Sequence, residues 1–173
     1  HKFHGPKGIG FLYTSSMDFD SYLHGGDQEQ KKRAGTENLA AIVAMVAALK
    51  EDLEKQEEHF QHIQNLDTAF LAELEGFQYY LNRGEHHLPY VLNIGFPGQK
   101  NDLLLLRLDL AGISISTGSA CTAGIVQSSH VLEAMYGANS ERLKESVRIS
   151  LSPQNTVEDL QTLAKNLKEI IGG

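Results

Sequence analysis

One long helical pattern, opening at Thr36, constrains this chain more than any other feature. Apolar Leu39, Ile42, Val43, Val46, Leu49 and Leu53 recur on one face at helical spacing, the mark of an amphipathic helix. Thr36 stands where an N-cap hydroxyl belongs, and the pattern runs through polar residues 54–61 to close near Gly76. In a chain of 173 residues, a helix this long bridges two structural units or turns its charged middle to solvent. From residue 90 onward, short elements alternate. Strands are predicted over 90–96, 113–116 and 147–151, and helices over 101–111, 131–136 and 156–171. Alternation of this kind gives an α/β or α+β layer with helices packed on a small sheet. Before the long helix, residues 9–13 mix β-branched and aromatic types after a Gly/Pro turn and read as a short buried strand. A lone strand is not stable, so this one either pairs with strands elsewhere in the chain or belongs to a sheet whose other strands are absent from it.

Composition removes several classes of function. With 41% hydrophobic residues and no long apolar run, the chain reads as soluble and globular, with no membrane partner. A net charge of -7 without clustered Lys and Arg argues against nucleic acid, whose phosphates demand basic patches. The single cysteine excludes an internal disulfide, and with no secretory signal the reducing cytoplasm is the default compartment. The length suits one sizeable domain, or a smaller domain with a piece of another. The chain opens at His1 with motif-like residues from the first position, as expected of a piece of something longer.

Three stretches are candidates for chemistry. The cysteine, Cys121, lies in Ser116-Thr117-Gly118-Ser119-Ala120-Cys121-Thr122-Ala123-Gly124, a run of small residues. It reads either as an accessible loop carrying a reactive thiol or as a tight strand-to-helix junction. Residues 25–38 pair a flexible Gly25-Gly26 with polar side chains and end at Thr36. That is either an anion site made of helix-start N–H groups and a hydroxyl, or plain N-capping. Arg148, between Val147 and Ile149, points to solvent or is held in a site for a carboxylate. Among the histidines, His59 and His62 share a helix face and His86 adjoins His87. No second pair stands at a zinc spacing, so no metal site is expected.

Together these stretches resemble the cysteine desulfurases of the NifS/IscS type, pyridoxal-phosphate enzymes with the aspartate-aminotransferase fold. His1-Lys2-Phe3-His4-Gly5-Pro6-Lys7-Gly8-Ile9-Gly10 is similar to the Schiff-base lysine segment. Gly25-Gly26-Asp27-Gln28-Glu29 with Arg33-Ala34-Gly35-Thr36-Glu37-Asn38 is similar to the family's Gly-Gly-x-Gln-Glu and Arg-x-Gly-Thr stretch. The 116–124 run resembles the persulfide loop, and its length before the helix at Val131 resembles the NifS/IscS branch rather than SufS. Ser146-Val147-Arg148-Ile149-Ser150-Leu151-Ser152 resembles the strand carrying the substrate-carboxylate arginine.

The resemblance implies a fold-type-I transferase seen in its C-terminal half: the end of the cofactor-binding large domain and the start of the linking helix over 1–50, then a small domain over 51–173. It implies that Lys2 bonds pyridoxal 5'-phosphate, that His1 lies near the cofactor phosphate, and that Thr36 reaches the phosphate of a neighbouring subunit's cofactor in a homodimer. Arg148 is expected to clamp the carboxylate of L-cysteine through a bidentate pair. The Cys121 thiolate is expected to take the sulfur as a persulfide for an acceptor or scaffold protein, for example in iron-sulfur cluster assembly. The ring-stacking histidine and the aspartate facing the pyridine nitrogen have no counterpart in this sequence, so the isolated chain is expected to be inactive toward cysteine. The competing readings are a cofactor-free thiol sulfur carrier or interaction module built on Cys121, and a selenocysteine lyase.

Overall fold

The computed structural model describes residues 1–118 and 129–172. The chain divides into two compact units, His1–Gln56 and Glu57–Gly173.

The first unit is mostly irregular chain leading into one helix. Residues 9–13 form no strand: no ladder partner is present among the described residues, and Phe11, Leu12 and Tyr13 are exposed. The predicted strand therefore fails for want of pairing. A parallel bridge joins Leu23 to Arg33 and closes a loop around a 3-10 turn at Gln28–Lys31. In that turn Glu29, Gln30 and Lys31 hold positive φ of 51, 55 and 64°, a conformation that costs side-chain-bearing residues of order 1–2 kcal/mol each. Helix α1 (Leu39–Glu54) follows. Its cap is Asn38, whose side chain accepts from the Ala41 N–H at 3.2 Å, so Thr36 is not the N-cap the sequence suggests. The long helix is also two helices. α1 ends where Lys55 leaves helical geometry (φ -106°, ψ 6°), and α2 (Gln56–Glu73) begins one residue later. The polar run 54–58 offers no apolar side chain to hold that turn against a core. Met45 is the one buried residue of α1.

The second unit holds the core. Strands β1 (Tyr80–Leu81), β2 (Val91–Gly95) and β3 (Ser146–Ser150) form an antiparallel sheet in the order β1-β2-β3. Helices α3 (Asn101–Leu110), α4 (His130–Tyr136), α5 (Arg142–Glu145) and α6 (Val157–Gly172) complete it. The strand alternation divides the sheet cleanly. Leu92, Ile94, Val147 and Ile149 face inward and cluster with Ile63, Leu66 and Phe70 of α2, Leu104 and Leu108 of α3, and Leu160, Leu163 and Leu167 of α6. The residues between them, Asn93 and Gly95 on β2 and Ser146 and Arg148 on β3, belong to the opposite face. The predicted strand over 113–116 reduces to a single antiparallel bridge between Ser116 and Arg148. β1 and α5 were not expected from the sequence.

Candidate active site

The outer face of the sheet is built from polar side chains in register. Arg148 pairs with Asn93 across β2 and with Ser116 on its other flank, so Asn93, Arg148 and Ser116 form one row across the strands. Ser116 holds Arg148 through both main chain and side chain. Its backbone N–H donates to the Arg148 carbonyl at 3.0 Å, and the Arg148 N–H donates back at 2.6 Å. Its hydroxyl accepts from Arg148 Nε–H at 2.9 Å. Arg148 is half-buried, and its side chain is engaged by Ser116 instead of lying loose in solvent. Four of its five side-chain N–H donors, those on Nη1 and Nη2, remain for a planar anion once Nε is engaged.

Beside that row lies a second, tighter network. Asn82 Nδ2 donates to Asn93 Oδ1 at 2.7 Å and to Ser146 Oγ at 2.8 Å, and Arg142 donates to Asn82 Oδ1 at 2.9 Å. The Arg142 guanidinium lies against two rings, 4.1 Å from the Tyr80 centroid and 4.4 Å from that of Tyr136, a double cation–π contact. Tyr80 donates its hydroxyl to Glu145 at 3.0 Å. Burial pushes this phenol up to about 12; the Glu145 carboxylate adds to the rise, and Ser146 and Arg142 oppose it. The Tyr80 ring covers Gly95, where a Cβ would overlap it, so glycine is the residue the stacking requires. These groups link β1, β2, α4, α5 and β3 around the Arg148 row. Sequence reading missed them; Asn93, a polar residue mid-strand, was the one available signal.

The other predicted residues fall as follows. His1 and Lys2 are exposed at the start of the first unit, and Thr36 is exposed two residues before the Asn38 cap. Thr36 precedes the start of α1 but is not its capping residue. Cys121 lies outside the described residues. Among the described residues, no three of His, Cys, Asp and Glu gather as a metal ligand set. His62 instead contacts the Asn155 carbonyl through Nε2 at 2.9 Å, in a cleft of about 520 Å³ lined also by Glu58, His59, Gln61, Asn65 and Pro153. No described helix is long and apolar enough to cross a membrane.

The chain belongs to the aminotransferase class-V family, whose profile matches residues 1–163. Within it, the chain is 45% identical over 175 residues to a Bacillus subtilis (strain 168) protein named as a candidate cysteine desulfurase, IscS 1, covering 99% of this chain and 46% of that protein. It is 37% identical to the cysteine desulfurase IscS of Dictyoglomus turgidum, covering 99% of this chain and 44% of that one. A solved NifS-like protein superposes with a TM-score of 0.85 at 32% identity, over 99% of this chain and 44% of its own. A NifS-like protein from Rickettsia africae does so with a TM-score of 0.76 at 29% identity, over 89% and 40%. The fold is thus that of the NifS-like proteins, and the chain spans about half the length of the curated relatives it matches.

Proposed function

We propose that this chain is the C-terminal portion of a pyridoxal-phosphate-dependent cysteine desulfurase, acting in the reducing cytoplasm as a homodimer. It converts L-cysteine to L-alanine and passes the sulfur to an acceptor or scaffold protein such as one that assembles iron-sulfur clusters. In this reading residues 1–50 end the cofactor-binding domain and begin the linking helix, and residues 51–173 form the small domain. Arg148 carries the reading: its guanidinium is held at Nε on the polar sheet face, which suits it to orient an α-carboxylate through the remaining N–H groups.

The donor chemistry of the first unit fits the cofactor. An exposed primary amine at Lys2 is what an aldehyde needs for covalent attachment. The imidazole of His1 and the hydroxyl of Thr36 suit a phosphate. When bound, pyridoxal phosphate supplies an electron sink for a carbanion at the substrate α-carbon. The chain's own part is to hold and cut. Arg148 fixes the carboxylate, and the Cys121 thiolate attacks the substrate sulfur. The carbon–sulfur bond breaks, a sulfur–sulfur bond forms on Cys121, and the carbon skeleton keeps the electron pair, takes up a proton and leaves as alanine.

Alanine release and protein persulfide, measured after adding L-cysteine, test the proposal. The chain alone with pyridoxal phosphate should be inactive, and co-expression with the N-terminal half of a desulfurase should restore turnover. In that complete enzyme, Cys121→Ser should abolish the persulfide. Arg148→Lys loses the planar fork and should raise KM for L-cysteine about tenfold while cofactor loading is unchanged. Full turnover by Cys121→Ser, or an unchanged KM in Arg148→Lys, overturns the assignment.

A further inference from the structure

We propose that Ser116 is a positioning residue: its hydroxyl sets the edge of Arg148 that meets the substrate carboxylate, forcing end-on recognition. The inference rests on Arg148 being the carboxylate-binding group. An arginine can bind a carboxylate side-on, through Nε–H and one terminal N–H, or end-on, through the two terminal nitrogens; both are bidentate. A long, rotamer-rich side chain on the outer face of a sheet has no intrinsic preference between them. Here the choice is made by Ser116. Its Oγ lies 2.9 Å from Nε and accepts that N–H, so the side-on edge is already occupied. The same oxygen lies 3.3 Å from the Arg148 carbonyl, to which its own hydrogen points, leaving its lone pairs directed to Nε. Two backbone hydrogen bonds, at 3.0 and 2.6 Å, hold Ser116 directly opposite Arg148, so the hydroxyl is fixed by the main chain rather than by its own rotamer alone. On the other flank, the opposing strand residue Asn93 has its Oδ1 taken by Asn82 at 2.7 Å. Ser116 is thus the side-chain acceptor that Arg148 meets among the described residues, and Nη1 and Nη2 are left to face a ligand.

Two substitutions of equal shape isolate the hydroxyl: Ser116→Thr keeps it and Ser116→Val removes it, while both are β-branched and suit the extended bridge. In the complete enzyme, Ser116→Thr should keep the parent KM for L-cysteine, and Ser116→Val should raise it about tenfold with kcat changed less than about twofold, the size expected when a hydrogen bond to a charged group is lost. In the chain itself, ¹⁵N-resolved exchange of the Arg148 Nε–H should be faster in Ser116→Val than in Ser116→Thr. That readout needs neither cofactor nor turnover. If Arg148→Lys raises KM but Ser116→Val leaves it at the Ser116→Thr value, the positioning role is overturned and the carboxylate role of Arg148 stands. If Arg148→Lys leaves KM unmoved, both fall. Equal Nε–H exchange in the two Ser116 variants, or a loss confined to kcat, also overturns the positioning role.

Discussion

At the Tyr80 hydroxyl, burial outweighs the nearby Arg142 guanidinium, and the phenol ionises only at about 12 instead of its usual 10. Because the folded state holds this proton more tightly than the unfolded chain, Tyr80 contributes stability that is fully present below about pH 10 and is lost as pH rises toward about 12. Tyr80→Phe has no such proton to lose. Urea unfolding of the parent and of Tyr80→Phe across that interval should therefore show the parent losing stability relative to the variant as pH rises; a constant difference would refute the buried phenol. Residues such as Tyr80 and Arg142 were illegible in the sequence because their partners lie far along the chain: Tyr80 meets Glu145, and Arg142 meets Asn82. Arg148 was legible because a charge between Val147 and Ile149 is uncommon inside a strand of a small sheet. Its partner Ser116 lies within the small-residue run, and nothing in the sequence ties the two together.

Helix α6 shows how an element declares itself. Leu160, Leu163, Ala164 and Leu167 are buried along one stripe, and its start is fixed by a reciprocal cap. The Thr156 N–H donates to Asp159 Oδ2 at 2.9 Å, and the Asp159 N–H donates to Thr156 Oγ1 at 3.2 Å. The Thr156 backbone N–H is the main reason the Asp159 carboxyl lies below its usual range, with the Asn155 side chain adding to it. Thr156→Ala should cost about 1 kcal/mol in chemical denaturation. Because the Asp159 pKa is depressed on folding, that carboxylate's contribution is present above the ordinary aspartate range and fades as pH falls through the lowered value. Other elements were less readable for definite reasons. β2 and β3 matched their expected ranges closely because alternate residues are buried; α3 and α4 matched although α3 buries only Leu104 and Leu108 and α4 only Leu132. β1 has two residues, too few for any alternation to register. The break at Lys55 carries no Gly or Pro, and only the lack of apolar residues over 54–58 marks it.

On the scale of the whole chain, stability is concentrated in one part. Every residue of the main buried cluster lies between Ile63 and Leu167, within the second unit, whereas the first unit keeps Leu39, Val43, Val46 and Leu53 of its helix exposed. A chain comprising residues 57–173 should therefore unfold cooperatively, with a midpoint within about 5 °C of that of the whole chain by circular dichroism. A non-cooperative melt, or a much lower midpoint, would show that the first 56 residues stabilise the core. Nothing in the sequence signals that the core lies in one part alone, because the apolar face of α1 looks the same in sequence whether it is covered or not. The period-two division of the sheet has a consequence for descent with modification. Leu92, Ile94, Val147 and Ile149 answer to the core, while positions 93, 148 and 150 on the same strands point away from it. Ligand preference can therefore drift, one substitution at a time on the outer face, through a lineage of chains that all inherit the same scaffold.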